Sequence, residues 1–160
     1  MKKLIFLSLL TISIAGANAQ KLQKPDFSVG LASAIPTDAN SDRVHINLGS
    51  TWFQVSTKYN DKFTGIVDFG YVRFRGDAET NFSVVPFMAG LKYNVNENVY
   101  FGSSAGLGFY NKSDNGTTSF TFSPYVGVKM NHINLDGRYI NVVEKNNPIK
   151  TIGLVISYTL

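Results

Sequence analysis

The last ten residues of the chain, Thr151–Leu160, alternate between large apolar side chains and mostly small or polar ones. The large side chains occupy every even position, from Ile152 to Leu160. Because the side chains of a β-strand point alternately to its two faces, this period of two predicts a strand with one apolar face. That face must lie against a protein core or, in a barrel that spans a membrane, against lipid.

Seven more segments alternate in the same way, and almost none has the 3.6-residue period of an amphipathic helix. Phe and Tyr, which favour strands, occur 12 and 8 times. The register in the upper part of the second strand stays open, because Trp52 falls on its polar face. The eight predicted strands are Asp26–Ile35, Ile46–Tyr59, Lys62–Phe74, Phe82–Val95, Val99–Tyr110, Ser119–Met130, His132–Val143 and Thr151–Leu160.

The connections between these strands alternate between short and long. The short ones consist of residues that tolerate tight turns, at Asn60-Asp61, Asn96-Glu97-Asn98 and Asn131. The long ones are polar loops at Pro36–His45, Arg75–Asn81, Asn111–Thr118 and Glu144–Lys150. Short turns at one end and longer loops at the other are typical of transmembrane barrels. An even number of strands then brings both termini to the short-turn end, where Thr151–Leu160 pairs with Asp26–Ile35.

The beginning of the chain predicts export. A basic start, Met1-Lys2-Lys3, precedes the apolar segment Leu4–Ile14 and the A-x-A cleavage motif Ala17-Asn18-Ala19. This order is typical of a secretory signal peptide. We expect a signal peptide at residues 1–19 and an outer-membrane β-barrel domain at residues 20–160. The sequence contains no Cys, so we expect neither a disulfide nor a lipid-bearing cysteine.

The charge pattern argues against a nucleic-acid partner. The formal net charge of +4 includes Lys2 and Lys3, and the other basic residues are scattered without a run. After the signal peptide, no apolar run reaches the roughly 18 residues that suggest a membrane helix. A chain of this kind can therefore cross a membrane only as a closed barrel, since lipid offers no hydrogen-bond partner to an open strand edge.

The second face of the predicted strands separates a membrane barrel from a soluble periplasmic one. It is rich in Gly, Ser and Thr, whereas the outer face of a soluble barrel should carry many Lys and Glu residues. Isolated charges on this face are expected to pair inside a narrow, filled barrel, or alternatively to line a gated polar pathway. These predicted interior residues are Asp68, Lys92, Lys129, Asp136 and Arg138.

Aromatic residues on the apolar face fall near both ends of the strands, as in the interfacial girdles of membrane barrels. Near the short turns they are Phe27, Tyr59, Phe63, Tyr93 and Tyr158. Near the long loops they are Tyr71, Phe109, Phe120 and Tyr139.

The stretch Met88–Gly102 contains Gly-Leu-Lys-Tyr, a short polar turn, Val-Tyr and a glycine. It resembles the strand–turn–strand signature of small outer-membrane barrels, the OmpX, OmpW and OmpA-barrel-domain group. Thr151–Leu160 resembles the signal read by the barrel-assembly machinery, although Leu160 replaces the usual terminal Phe. The resemblance implies an all-β, eight-stranded antiparallel up-and-down transmembrane β-barrel in the outer membrane of a Gram-negative cell envelope, with both termini periplasmic.

Residues that carry chemistry are scarce, and we expect no catalytic, metal or cofactor-binding site. His45 and His132 fall at opposite ends of the predicted barrel, so they cannot share a metal ion. A nucleophilic triad needs Ser, His and a carboxylate together. Only His45, with Ser41 and Asp42 nearby, approaches this, and loop residues of this kind are usually just solvated.

The expected role is structural, in envelope integrity or surface interaction, with no catalysis. The alternatives are a narrow pore or carrier for small apolar solutes and a lipid-A-modifying enzyme. Expected partners are outer-membrane lipid and lipopolysaccharide, together with the assembly machinery through Thr151–Leu160, and the protein is expected to be a monomer. Arg73 and Arg75 are candidates for contacts with lipopolysaccharide phosphates, which the planar guanidinium suits; otherwise they extend into solvent or the adjoining loop.

Overall fold

The computed structural model describes residues 24–37, 44–45, 47–76, 82–112, 115–143 and 149–160. These residues form β-strands joined by tight turns. No helix in this part of the chain is long and apolar enough to cross a membrane. The predicted signal peptide at residues 1–19 lies outside the described residues and stays a prediction.

The described residues form eight long strands and one two-residue strand. They are β1 Asp26–Pro36, β2 Val44–His45, β3 Asn47–Lys58, β4 Phe63–Gly76, β5 Phe82–Asn94, β6 Val99–Lys112, β7 Asn115–Met130, β8 Ile133–Val143 and β9 Ile149–Thr159. Each long strand pairs in an antiparallel manner with the next long strand along the chain, the short β2 pairs with β4, and the pairing of β1 with β9 closes the ring. This confirms the predicted eight-stranded, up-and-down barrel.

The prediction of a loop at Asn111–Thr118 is wrong. The β6–β7 ladder continues to the pair Lys112–Asn115, so most of this segment is a long hairpin. Beyond the apolar layer both faces of a hairpin meet water, so the hydrophobic alternation stops while the backbone pairing goes on. The predicted loop Glu144–Lys150 is also shorter at its far end, because β9 begins at Ile149.

The structure settles the register that the sequence leaves open in the upper part of the second predicted strand. The pairing of β1 with β3 shifts between Ala32–Ser50 and Ser33–Leu48, which leaves Gly49 as an extra residue. A β-bulge of this kind interrupts the ladder locally. Below the bulge the parity is regular, and Trp52 faces the interior with only 1% of its surface exposed.

The short turns are built by asparagines, as the sequence predicts. The side-chain Oδ1 of Asn60 accepts hydrogen bonds from the backbone N–H groups of Lys62 and Phe63, at 2.9 and 2.8 Å. Asn96 repeats this arrangement in the β5–β6 turn. Asn131 has a positive φ of 55°, a left-handed conformation that asparagine tolerates better than most residues.

Two prolines interrupt the hydrogen-bonded ring. The β4–β5 pairs skip from Phe69–Phe87 to Val72–Val84 around Pro86. The β7–β8 pairs skip from Phe122–Asn141 to Tyr125–Arg138 around Pro124. Proline has no N–H group, so each of these residues removes one ladder hydrogen bond from the middle of a strand. Proline is rarely found at such positions.

The outer face of the barrel is apolar on every long strand. The even residues Ile152, Leu154 and Ile156 of β9 are each 57% exposed, whereas Thr151 and Val155 are buried inside. On the other long strands, too, large apolar side chains point outward and alternate with side chains that point into the barrel. Exposed apolar side chains on the remaining strands include Leu31, Phe53, Phe69, Phe87, Leu107, Val126 and Ile133.

Candidate functional site: the barrel interior

Two groups of side chains occupy different heights in the interior of the barrel. At the long-loop end lies what we call the apolar half, formed by Val72, Phe74, Val84, Ile140, Val142 and Ile149. At the short-turn end lies the polar half, whose buried members include Ser28, Gln54, Thr64, Asp68, Asn134 and Asp136. Arg138 lies between the two, one inward position below Ile140 on β8.

The apolar half is almost completely filled. Phe74, Val72 and Val142 are each 2% exposed, and Pro86 and Thr151 pack beside them. The cavity among these side chains measures about 10 Å³, the lower limit for a single water molecule. A filled interior is what a barrel of eight strands favours, because its bore is just wide enough for its own side chains.

Arg138 forms the centre of a buried ion-pair cluster. Its Nη1 lies 3.0 Å from Asp68 Oδ2, and its Nη2 lies 3.0 Å from Asp136 Oδ2. The guanidinium is also held between two aromatic rings, 4.6 Å from the Trp52 ring centre and 4.2 Å from that of Tyr125. The planar fork of arginine suits both kinds of contact at once.

The carboxylate of Asp68 has a complete set of donors. Its Oδ1 accepts hydrogen bonds from Gln54 Nε2 at 2.7 Å and from Trp52 Nε1 at 3.3 Å. Its Oδ2 accepts one from Ser104 Oγ at 3.0 Å in addition to the arginine. Buried charges are stable only when they are both paired and hydrogen-bonded, and this site meets both conditions.

The cluster extends toward the short turns through Tyr100. The Tyr100 hydroxyl donates a hydrogen bond to Asp136, and the ammonium group of Lys92 lies 4.3 Å from the centre of the Tyr100 ring. Lys92 also donates to Gln54 Oε1 at 3.3 Å. Two carboxylates are thus matched by one guanidinium and one ammonium, so the cluster as a whole is neutral.

Glycines make room for the two tyrosines of the cluster. A Cβ at Gly102 would lie 2.5 Å from the Tyr125 ring, and one at Gly127 would lie 2.5 Å from the Tyr100 ring. Real Cβ atoms do not approach other heavy atoms this closely. Small residues at these two positions therefore allow the rings to lie flat against the barrel wall and reach the charges.

The sequence-predicted interior residues occupy two different places. Asp68, Asp136, Arg138 and Lys92 are joined through the cluster, while Lys129 is half-buried at the mouth of the barrel. Sequence reasoning missed the uncharged partners of these groups. Inward strand parity is the signal that would have found them: Trp52, Gln54, Tyr100, Ser104 and Tyr125 share the face of the predicted charges.

The mouth at the short-turn end holds a polar cavity of about 50 Å³. Every long strand contributes to its wall, and every residue of the wall carries a polar side-chain atom. It is lined by Asp26, Ser28, Gln54, Ser56, Lys58, Thr64, Lys92, Asn94, Glu97, Tyr100, Lys129, Asn134 and Thr159.

The two histidines lie at opposite ends of the barrel. His45 pairs through its backbone with Arg75 at the long-loop end, while His132 Nδ1 lies 3.1 Å from the Thr159 carbonyl oxygen at the short-turn end. Ser41 and Asp42 lie outside the described residues. Among the described residues, no group of His, Asp and Glu could hold a metal ion.

The two candidate lipopolysaccharide contacts fall at the long-loop end of β4. Arg73 is exposed on the outer face of that strand, next to the exposed ring of Tyr71. Arg75 takes part in the short β2–β4 pairing through its backbone. The side chain of Arg75 lies outside the described part of the structure.

No family model and no curated protein sequence matches the chain. Solved structures do match over nearly its whole length. Neisserial surface protein A (NspA) has 14% sequence identity and a TM-score of 0.66, with 88% of this chain and 99% of NspA covered. Ail, the attachment invasion locus protein of Yersinia pestis, has 16% identity and a TM-score of 0.60, with 88% and 99% covered. The chain has the fold of the small eight-stranded outer-membrane β-barrels.

Two further matches show how far this likeness extends. The N-terminal β-barrel domain of Pseudomonas aeruginosa OprF has 10% identity and a TM-score of 0.55, with 84% of this chain and 97% of that domain covered. A de novo designed transmembrane β-barrel has 15% identity and a TM-score of 0.53, with 86% and 98% covered. Because a designed barrel matches as well, the likeness describes the fold, and function must be argued from this chain's own residues.

Proposed function

We propose that this protein is an integral outer-membrane barrel that acts as a closed, non-catalytic body and presents its long-loop end for contact at the cell surface. The observation that carries the proposal is the apolar outer face. Soluble monomers rarely expose a contiguous apolar patch of more than a few hundred Å². Here exposed apolar side chains occur on every long strand around the ring, as expected for strands that face lipid.

The filled interior supports a structural role over a pore or a carrier. Trp52, Asp68, Met88 and Arg138 are each at most 2% exposed and occupy the middle of the barrel. The cavity among the described side chains of the apolar half beyond them measures about 10 Å³, which is too small for an apolar solute. Passage would require the ion-pair cluster to break, and breaking a buried pair costs about 3–5 kcal/mol.

A role in surface contact fits the shape of the long-loop end and the names of the similar proteins. The β6–β7 hairpin continues beyond the apolar layer to the pair Lys112–Asn115, and Arg73 lies on the outer face at the same end. Arg73 and Arg75 are proposed to bind lipopolysaccharide phosphates. Ail is named as an attachment protein and NspA as a surface protein, and both names describe activity at a cell surface.

The location is tested by cell fractionation in a Gram-negative host. We expect the protein in the detergent-extracted outer-membrane fraction, with different gel mobility before and after boiling. An epitope tag between β6 and β7 should bind antibody on intact cells, whereas a tag at the Asn131-His132 turn should bind only after permeabilisation. A soluble protein without a mobility shift would contradict the membrane location, and reversed tag exposure would contradict the orientation.

The closed state is tested in planar lipid bilayers. Correctly folded protein, recognised by its heat-dependent mobility, should leave the bilayer silent. Regular single-channel steps from the same sample would favour the pore instead. Mass spectrometry of lipid A from cells with and without the protein tests catalysis, and a protein-dependent mass change that His45→Ala abolishes would establish the enzyme.

A further inference from the structure

Three lysine side chains meet at the polar cavity in the mouth of the barrel. Lys58, Lys92 and Lys129 belong to β3, β5 and β7, and all three line the same space of about 50 Å³. A cavity of this size holds several water molecules or an anion of a few atoms. The proposed structural role does not use the ammonium groups of Lys58 and Lys129, and it uses that of Lys92 only in part.

The ammonium groups carry more hydrogen-bond donors than the cavity wall satisfies. Lys92 has three N–H groups; one reaches Gln54 Oε1 at 3.3 Å, and the Tyr100 ring attracts the charge from below. Within the described residues, both ion pairs are made by Arg138, so no carboxylate there lies within 4.0 Å of the three lysines. Lys129 in particular is half-buried, and no described carboxylate is paired with it.

The charges of the mouth balance in number, but they form no ion pairs among the described residues. Lys92 already balances the carboxylates of the buried cluster, and the other charged groups of the wall are Lys58 and Lys129, which are positive, and Asp26 and Glu97, which are negative. Lys92 and Lys129 line the same cavity, so their two like charges repel each other. Like charges in a partly enclosed space raise the free energy of the folded state unless an anion lies between them.

We propose that the mouth binds a small oxyanion, a phosphate or carboxylate group, between Lys92 and Lys129, with Lys58 at its rim. Several oxygen atoms on one group can accept N–H bonds from both ammonium ions, and such charge-assisted bonds are about twice as strong as neutral ones. The buried cluster below is neutral and already hydrogen-bonded, so it forms a fixed floor for the site. This inference goes beyond the proposed structural role and does not depend on the membrane location.

The test is a titration of the folded, detergent-solubilised protein with inorganic phosphate, followed by NMR at constant pH and constant ionic strength. We expect saturable shifts of the Asn94 and Asn134 signals, which lie in the cavity wall. Lys129→Gln should weaken binding about tenfold, the loss expected for one charge-assisted hydrogen bond. Lys62→Gln is the matched control, because Lys62 is exposed at the same end but does not line the cavity.

Two further titrations distinguish the kinds of molecule that could supply the anionic group. Acetate tests a carboxylate, and glycerol phosphate tests whether a phosphate carried by a larger molecule can enter the mouth. Lys92→Gln should also weaken binding, and its heat-dependent gel mobility shows whether the barrel still folds. Lys129→Gln stays informative whether or not the Lys92→Gln variant folds, since no described interaction of the cluster depends on Lys129.

Three outcomes would overturn the proposal. The first is a linear response without saturation in the wild-type protein. The second is an equal shift with sodium chloride, which would indicate screening of charge alone. The third is equal weakening by Lys62→Gln and Lys129→Gln, which would place the effect on the surface and not in the cavity.

Discussion

Phe74 and Arg138 are equally buried, each with 2% of its surface exposed, yet their surroundings have nothing in common. Phe74 packs among aliphatic side chains in the apolar half. Arg138 lies between two carboxylates and two aromatic rings. Around Phe74, stability depends on filled volume, whereas around Arg138 it depends on every charge keeping its partner.

This difference predicts how each half responds to substitution. Removing atoms from the apolar half costs free energy that grows with the apolar volume removed and with the size of the cavity that remains. Removing one member of the cluster leaves other buried charges without a partner, so the cost exceeds that of the deleted hydrogen bonds themselves. Removing Arg138 and both carboxylates together should therefore cost less than removing Arg138 alone.

The largest effect is expected for Arg138→Met. Two buried carboxylates lose their shared cation, and the free energy of unfolding should fall by about 4 kcal/mol. Urea unfolding in detergent or lipid vesicles measures the change, with Trp52 as the fluorescent probe because it is the only tryptophan. The triple variant with Asp68→Asn and Asp136→Asn should regain most of the loss, and a single variant within 1 kcal/mol of wild type would contradict the role of the cluster.

Phe74→Ala should lower the free energy of unfolding by about 3 kcal/mol, because it leaves a cavity in a half that is already filled. Phe74→Leu keeps most of the volume and should lose less than about 1.5 kcal/mol. The same urea titration compares the two variants. Equal losses for Ala and Leu would show that volume is not what stabilises the apolar half.

Gly102→Ala tests packing within the polar half. The added Cβ would meet the Tyr125 ring and displace it from Arg138, with an expected loss of about 2 kcal/mol from overpacking. Gly116→Ala is the matched control, because no atom lies within 4 Å of a Cβ built there. A loss in the control as large as in Gly102→Ala would assign the effect to glycine replacement in general.

The smallest effect is expected for Pro124→Ala, at the border between the two halves. The new N–H can donate to the Tyr139 carbonyl, which gains about 1 kcal/mol, while the more flexible unfolded chain offsets roughly half or more of this. Stability should therefore change by less than about 1 kcal/mol. Hydrogen exchange gives the clearer result: the new amide of residue 124 should be protected, and rapid exchange there would show that the gap in the ladder has another cause.

Much of the barrel can be predicted from side-chain alternation and turn residues. The asparagine turns follow from such local patterns, and the pairing of β1 with β9 follows from closing an even number of strands into a ring. The β6–β7 hairpin does not, because its upper part has no apolar face to reveal the strand. The extra residue Gly49 likewise shifts the pairing of β3 with β1 without any marker in the hydrophobic pattern.

The candidate site shows the same limit more sharply. Parity places Asp68 and Arg138 on the interior face, but it does not say that they meet across 70 positions of sequence. Whether the two side chains meet in space depends on the stagger of the strands around the ring, which no single strand encodes. The uncharged partners, such as Trp52 and Ser104, become visible only once the heights of the strands are known.

The closing contact of the ring joins residues that are far apart in the chain: Ser28 and Thr159 share a hydrogen bond across 131 positions. Barrel closure must therefore wait until the last strand is available, since β1 has no other partner on that side. Contacts of such long range slow folding, because the loop entropy is lost before they form. A chain that lacks the final strand should accordingly stay an open sheet with two unpaired edges. Such edges tend to pair with other copies of the chain.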